Sequence, residues 1–530
     1  MSAAEEERDP PSDLELFCAF VEWPQVRARI AAHTDSAAGR EAARALLPAL
    51  DQDGVAALQE ATGEAQALLA RAALCDLSGT ADLPLTFTRA REQDRALDSR
   101  ELRSIVSTVR AAERAREAYL RSPRLATLVA APDEASASGL PALAATIEAA
   151  VGPYGEVLDE ASETLAGVRR RLAGQRAQLE DELRRLVTDG SVMLAVVEHR
   201  PVRRDGQPCL LIKQEELRRV PGPIIAQEPG RYYVQPDALA TGYNALRDLT
   251  VAEQREELRL VEELSAAAHA WESALRELAL GLIQADLHQA MARYALALEC
   301  VPAEASPDAG LLLAGARHPL LAEREACVPL DLELPSDRRL LLISGPNGGG
   351  KTAAMKTVAL LALLAQTGCP VPARRARLPV YRAFVSVADA RSSVGEGVST
   401  FQAHARDLRR ALDGARPGAL VLLDEIGVGT DPGEAAALAQ AILEHLMARP
   451  LRLLATTHLA PLKAFAAAAP AAQTAAVALD AEGRPTFSLH LGRTGGSFAL
   501  EVARQAGLPE AVVARAAALH AGEPPARGDP

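Results

Sequence analysis

The sequence predicts a multidomain protein with an all-α front half, two long antiparallel arms and a small strand-containing tip. An α/β domain with a mostly parallel sheet follows. Three observations carry that expectation. Leu158, Leu165, Leu172, Leu179 and Leu186 recur every seven residues, and sustained heptads mark a long helix packed along a partner helix. A strand-rich stretch over 192–236 separates two long helical patterns. From about Leu311 apolar runs of strand length alternate with helical segments, the texture of a parallel sheet.

Composition sets the frame. The chain has 530 residues, room for about three or four domains. Apolar residues make up 48% and charged residues 24%, as expected of a chain with real cores. Aromatic residues are only 3%, too few for an aromatic-lined sugar site. The apolar excess is Ala and Leu, both strong helix formers. Net charge is −13, from 57 Lys+Arg against 70 Asp+Glu, which argues against a generally basic nucleic-acid coat but leaves local patches open. Cys18, Cys75, Cys209, Cys300, Cys327 and Cys369 form no C-x-x-C pair, so a zinc ribbon is not expected and a reducing, cytoplasmic setting is. No apolar run is long enough to span a bilayer, and the acidic start from Met1 to Pro11 does not read as a signal peptide.

In chain order, residues 1–12 read as a disordered start, and Asp13 to about Ser122 reads as helical, with Ala131–Gly139 as a loop. In the heptad stretch Ala161 and Val168 supply a second row, which Gln175 and Glu182 break. The same pattern suits an ordinary bundle helix as well as a long arm. Val192–Val197 and Cys209–Ile212 read as strands, with Asp205-Gly206 suited to a hairpin turn. Helix resumes after Tyr243 and runs to about Cys300. Leu340–Ser344, Ala419–Leu423 and Leu451–Thr456 read as buried strands, and Thr352–Thr367 as a helix.

The α/β part carries the chemistry. Gly345-Pro346-Asn347-Gly348-Gly349-Gly350-Lys351-Thr352 fits G-x-x-x-x-G-K-[ST], follows a strand and opens a helix, the context of a phosphate loop. Backbone N–H groups and the helix N-terminus would cradle phosphates. Lys351 would reach the β and γ phosphates of ATP, and the Thr352 hydroxyl would ligate Mg²⁺. The apolar run ending in Asp424-Glu425 would deliver Asp424 to the metal and Glu425 to the attacking water. A third strand ends at His458, at the sheet edge where ligands bind, and His458 could sense the γ-phosphate.

These motifs resemble the MutS family. GPNGGGKT, the run Asp424–Pro432 (DEIGVGTDP), Thr456-Thr457-His458, Ser399-Thr400-Phe401 and Arg317-His318-Pro319 are similar to its ATPase domain. Lys356-Thr357-Val358, Ser399 to His404, Gly155 to Ser162 and Ser497–Pro509 resemble its second bacterial subfamily, the anti-recombination and ribosome-associated branch. The resemblance runs from about Asp13 to His520. It implies a helical core and lever over 13–155 and arms with a clamp over 156–300. It places an ABC-type ATPase over 301–520, with a C-terminal helical dimerisation segment, and leaves 521–530 as a disordered tail. It implies a homodimer in which Ser399 and Thr400 approach the partner's γ-phosphate.

The sequence also departs from the family. No mismatch-reading domain fits before Asp13, and Phe20-Val21-Glu22, with the letters of the family's wedge, lies in a helical pattern. The chain stops at Pro530, before the subfamily's small nuclease-like domain, so no nuclease activity is expected. Gly348 stands where the family has a larger residue, and Ala435 where a Gly is common.

The tip carries Arg200, Arg203, Arg204, Lys213, Arg218, Arg219 and Arg231 beside Tyr232 and Tyr233, a set suited to phosphate and base contact. Glu198, Asp205, Glu215, Glu216 and Glu228 share the stretch, so a solvated mixed-charge surface stands as the other reading. Phe498–Ala518 reads as a helical hairpin that packs either on a partner subunit or locally. The expected function is an ATP- and Mg²⁺-dependent clamp on duplex or branched DNA. A ribosome-directed ATPase and a nucleotide-gated structural dimer are the alternatives.

Overall fold

The computed structural model describes residues 12–322, 327–345, 348–388, 400–427, 431–479, 485–493, 504 and 507–520. The chain forms two compact units. One comprises Met1–Ser78, Ala115–Val129 and Ile283–Pro530, the other Gly79–Arg114 and Ala130–Leu282. The helical segment expected over 13–155 is therefore divided between them. In order, the helices are α1 Asp13–Phe20, α2 Trp23–Ala31, α3 Ala37–Arg44, α4 Gln52–Leu69, α5 Leu83–Glu92, α6 Ser99–Ala118, α7 Pro123–Leu128, α8 Glu134–Ala150 and α9 Glu163–Val187. Then come α10 Gly190–Met193, α11 Ala240–His269, α12 Glu272–Ala297, α13 Lys351–Gln366, α14 Thr400–Gly414, α15 Pro432–Met447, α16 Ala460–Ala468 and α17 Glu510–His520. Among them none is long and apolar enough to cross a membrane.

In the smaller unit α9 and α11 run antiparallel. Leu165 packs with Leu260, while Leu172 and Leu179, further along α9, pack with Leu246, nearer the start of α11. This is the heptad row, and Leu165, Leu172 and Leu179 are buried. Leu158 lies outside the helix, before a short 3₁₀ turn. Ser162 caps α9 by accepting the Leu165 N–H and donates to Glu256 of α11 at 2.8 Å. Arg169 joins Glu253 at 2.9 Å and Glu257 at 2.6 Å. The helix expected from Tyr243 to Cys300 is broken at Ala270-Trp271, between α11 and α12.

Beyond α9 sits an antiparallel sheet of β1 Val202–Arg204, β2 Gln207–Lys213, β3 Ile224–Glu228 and β4 Arg231–Val234, in the order β1-β2-β4-β3. Asp205 and Gly206 both have positive φ, 49° and 77°, as a type I′ hairpin requires. Leu210 and Ile212 of β2 pack on Leu183 and Val187 of α9. Of the strand expected over Val192–Val197 only an isolated antiparallel bridge forms, Val196 with Ile212 of β2, with the Val197 N–H donating to the Leu211 carbonyl at 2.8 Å. Asp189 accepts the Ser191 N–H and starts α10, and Val192 and Val196 fill the core beneath β2 instead. Ala131–Gly139 is likewise mostly helix. Asp133 accepts the Ser136 N–H at 2.7 Å and caps α8. Gly139 is needed there because a Cβ would lie 2.3 Å from the Trp271 ring.

The larger unit holds a six-stranded sheet, ordered β10-β11-β12-β8-β13-β14. Its strands are β8 Leu340–Ser344, β10 Ala383–Val387, β11 Ala419–Leu423, β12 Arg452–Thr457, β13 Ala472–Leu479 and β14 Pro485–Leu491. Every pairing is parallel except β13–β14. A second, mixed sheet, in the order β5-β9-β6-β7, joins β5 Glu304–Ala305, β9 Arg375–Leu378, β6 Leu311–Ala316 and β7 Leu330–Leu334. Strands β8 and β11 are buried at every position because both faces are covered, which explains their continuous apolar runs. Alternate residues divide the load. Leu341, Ile343, Leu420, Leu422 and Leu454 face α13 and the α1–α2 helices, while Leu340, Leu342, Val421, Leu423, Leu453 and Ala455 face α14, α15 and α16.

Phe17, Trp23, Val26 and Ile30 of α1 and α2 belong to the same core as α13. Phe20 and Glu22 sit at the turn between those helices. Lys356 of α13 pairs with Glu22 at 2.7 Å and lies over the Phe20 ring at 5.1 Å. The Phe-x-Glu letters thus anchor the phosphate-loop helix.

Candidate nucleotide site

Parallel strands deliver their carboxyl ends to one sheet edge, and ligands of open α/β sheets bind there. Thr457 of β12 pairs in register with Ser344 of β8, and Ala455 pairs with Leu423 of β11. Gly345, Asp424 and His458 therefore leave the sheet along the same edge. Gly348 and Gly350 adopt φ of 77° and 91°, left-handed conformations that let the loop turn into α13. Pro346, Asn347 and Ser399 lie outside the described residues, and of Thr400 only its backbone place at the start of α14 is described. Gly349 is buried within the turn.

The charged groups of this edge converge. Lys351 is almost fully buried, and its Nζ lies 2.9 Å from Glu425 Oε1 and 3.1 Å from the Gly345 carbonyl. Glu425 Oε2 lies 2.8 Å from His458 Nδ1. The Thr352 hydroxyl is 3.0 and 3.1 Å from the two oxygens of Asp424. Burial pushes the Glu425 carboxyl up, but hydrogen bonds from His458 and Lys351 outweigh it and hold the group below its ordinary value of 4.5. Lys463 of α16 stands near enough to Lys351 for the two charges to repel, and burial together with that repulsion lowers the Lys463 ammonium. Lys463 carries no motif letter, so its spacing in sequence does not reveal it.

The depressed carboxyl has a consequence for stability. A group whose folded value is lowered contributes stability that is complete above its unfolded value and lost as pH falls through the folded one. Glu425→Gln should therefore lower the Tm of the nucleotide-free protein at pH 7. The gap to wild type should close as pH is taken below 4.5, the ordinary carboxyl value. Thermal melts across that range test this, and a gap independent of pH would contradict it.

The donor set suits a divalent cation. A hydroxyl and one carboxylate, both hard oxygen ligands, stand together beside a phosphate loop, and Mg²⁺ is characteristically held by one or two such ligands plus phosphate and water. Thr352 and Asp424 would hold it, and it would neutralise charge on the phosphates.

The tip cations are placed differently from a free basic patch. Arg200 pairs with Glu198 at 2.9 Å and Arg203 with Glu180 of α9 at 2.5 Å. Arg219 pairs with Glu216, Lys213 donates to the Leu194 carbonyl, and Arg204 lies over the Tyr233 ring at 5.2 Å. Arg204, Lys213, Arg218 and Arg231 are exposed with no carboxylate partner among the described residues; of these, Arg204 is engaged by the Tyr233 ring and Lys213 by the Leu194 carbonyl.

A phosphate loop on a central strand, with Asp-Glu and His at neighbouring strand ends, defines the nucleotide-binding domain of a P-loop ATPase. Residues 341–522 match the family model described as MutS domain V. The chain is 36% identical over 503 residues to the protein named Endonuclease MutS2 of Pelotomaculum thermopropionicum, covering 94% of this chain and 63% of that protein. It is 36% identical over 523 residues to Endonuclease MutS2 of Thermomicrobium roseum, covering 94% and 65%. It is 36% identical over 508 residues to that of Thermus thermophilus, again covering 94% and 65%. The chain belongs to the MutS family, and its similarity is to the second subfamily. It spans 63–65% of the length of these relatives.

Proposed function

We propose that this chain is an ATP-binding, Mg²⁺-dependent ATP-hydrolysing clamp. It works as a homodimer on duplex or branched DNA, reads no mismatch and acts in the control of recombination or repair. The observation that carries the ATPase half is the cluster at the sheet edge. Lys351 stands ready for the β and γ phosphates, Thr352 and Asp424 for the metal, and Glu425 for the attacking water. His458 orients Glu425 and lies where a γ-phosphate would be felt. Closure across the dimer would bring Ser399 and Thr400 to the partner's nucleotide. The matched MutS domain and the relatives support this reading. Those relatives are named endonucleases; the proposal for this chain assigns no cleavage chemistry.

The DNA half rests on the antiparallel α9–α11 pair and its tip. Arg218 and Arg231 are the phosphate contacts proposed here, with Arg204 and Tyr233 beside them. Arg200, Arg203, Arg219 and Lys213 would first have to leave their partners. No observation favours the ribosome-directed reading.

The test is Mg²⁺-dependent ATP hydrolysis by the full chain, with binding to a four-way junction measured across salt. Binding should be sequence-independent and steep in salt. Arg218→Glu/Arg231→Glu should weaken it about 10- to 100-fold and flatten the salt slope by about one per lost phosphate contact. Unchanged junction affinity would remove the tip from the interface. Absent hydrolysis would leave a nucleotide-gated structural dimer.

A further inference from the structure

Glu425 adopts φ 51°, a left-handed conformation uncommon outside glycine and one that survives only where the surroundings enforce it. The enforcing group is Thr456, one strand away. Its side chain is fully buried, with 0% exposure. Its hydroxyl accepts the Glu425 N–H at 2.8 Å and donates to Asp424 Oδ1 at 2.7 Å. Its carbonyl accepts the Ile426 N–H at 3.2 Å. One residue thus binds the backbone on both sides of Glu425 and the carboxylate of Asp424.

The proton order in this chain is fixed. An amide can only donate, so the Thr456 oxygen receives the Glu425 N–H and its single proton is left for Asp424. The Thr352 hydroxyl approaches the same carboxylate, 3.0 Å from Oδ1 and 3.1 Å from Oδ2. Asp424 is therefore oriented by two hydroxyls, of which only Thr352 would be a metal ligand.

We propose that Thr456 is a positioning residue that couples the metal carboxylate to the water-activating carboxylate. It sets the direction of Asp424 toward the cation and the backbone angle that presents Glu425. This inference rests on the ATPase reading above. It assigns to Thr456 no contact with nucleotide, metal or water.

The experiment uses the full chain and two readouts. Equilibrium binding of a fluorescent N-methylanthraniloyl ADP is titrated with and without Mg²⁺, and steady-state hydrolysis is measured separately. Thr456→Val keeps the shape and removes both hydroxyl bonds. It should bind the ADP probe like wild type without Mg²⁺, need about tenfold more Mg²⁺ for the metal-dependent tightening, and hydrolyse ATP about 10- to 100-fold more slowly. Thr456→Ser keeps the hydroxyl and should stay within about threefold of wild type in both readouts. If Thr456→Val does not fold, Thr456→Ala carries the comparison with Thr456→Ser, since both fit the wild-type volume.

The proposal is overturned if Thr456→Val matches wild type in Mg²⁺ requirement and rate. It is overturned equally if Thr456→Ser is as impaired as the hydroxyl-free variant, because packing would then be the cause. A wild-type protein that binds the probe but hydrolyses no ATP overturns the ATPase reading itself. Active wild type with an unaffected Thr456→Val overturns only the role of Thr456.

Discussion

Replacing Glu425 by Gln will slow ATP hydrolysis about 100- to 10,000-fold, the range of a lost general base, and will also tighten nucleotide binding about tenfold, or about 1.4 kcal/mol. The first effect follows from its place beside the phosphate loop. The second follows from the nucleotide-free geometry. Lys351 is 3% exposed in its side chain and already neutralised by Glu425 at 2.9 Å. A phosphate can claim the ammonium only by drawing it from that pair. Gln leaves a buried cation without its counterion, a state that costs several kcal/mol and that an incoming polyphosphate relieves. The substitution also removes a negative charge from the neighbourhood of the γ-phosphate. Single-turnover hydrolysis and equilibrium binding of the fluorescent ADP probe separate the two effects. Slower hydrolysis with unchanged or weaker binding would show that the Lys351–Glu425 pair exerts no hold on the empty site.

His458 completes this arrangement. Its Nδ1 lies 2.8 Å from the second carboxylate oxygen, so Glu425 is held from both sides and has no free rotation toward solvent. On the proposed reading, nucleotide binding would take away the Lys351 half and leave the His458 half. The carboxylate is then held by the group proposed to sense the γ-phosphate. Arrival of the nucleotide would thereby change the hold on the base from two-sided to one-sided.

What the sequence discloses depends on how local each piece of chemistry is. A phosphate loop must present consecutive backbone N–H groups, so Gly345 to Thr352 is legible as a string. A helix seam must repeat with the turn, so Leu165, Leu172 and Leu179 announce the α9–α11 pair. The roles of Thr456 and Lys463 are not local. Thr456 acts on Asp424 across 32 positions of chain, through a strand order that no spacing encodes. The tip cations fail for the same reason. Glu180, which occupies Arg203, lies 23 residues earlier on a different element. Two segments were misleading for a physical cause. The apolar run Val192–Val197 has strand composition, yet Asp189 caps a helical turn there and tertiary packing absorbs its valines. Ala131–Gly139 has loop composition, yet Asp133 caps a helix whose glycine admits the Trp271 ring.

Leu179→Ala will destabilise the α9–α11 pair by about 3–5 kcal/mol, the cost of a cavity where a buried leucine stood. Leu179 is fully buried with Leu172 and Leu246, and Gln175, one turn earlier on α9, reaches Gly242 of α11 through its side-chain amide at 3.4 Å. The residue facing it is Gly242, where an added Cβ would lie 2.7 Å from Leu179 Cδ2. Gly242 is the space that Leu179 fills, so the two positions form one packing unit. Two forces oppose each other in Gly242→Ala. The helix gains about 1 kcal/mol of propensity, while overpacking against Leu179 costs about 1–3 kcal/mol, so the single variant should be mildly destabilised. In Leu179→Ala the obstruction is gone. Gly242→Leu added to Leu179→Ala should then restore at least half of the lost stability, although each change alone is harmful. Neighbouring residues that share a cavity give coupling energies of about 0.5–3 kcal/mol. Urea denaturation, with hydrogen exchange of α9 and α11 amides as the local readout, measures all four corners of the cycle. Simple additivity of the two substitutions would mean that the arms are held by their ion pairs and not by this seam. The Arg169 links to Glu253 and Glu257 would then carry the pairing, and Arg169→Ala would be the more damaging change.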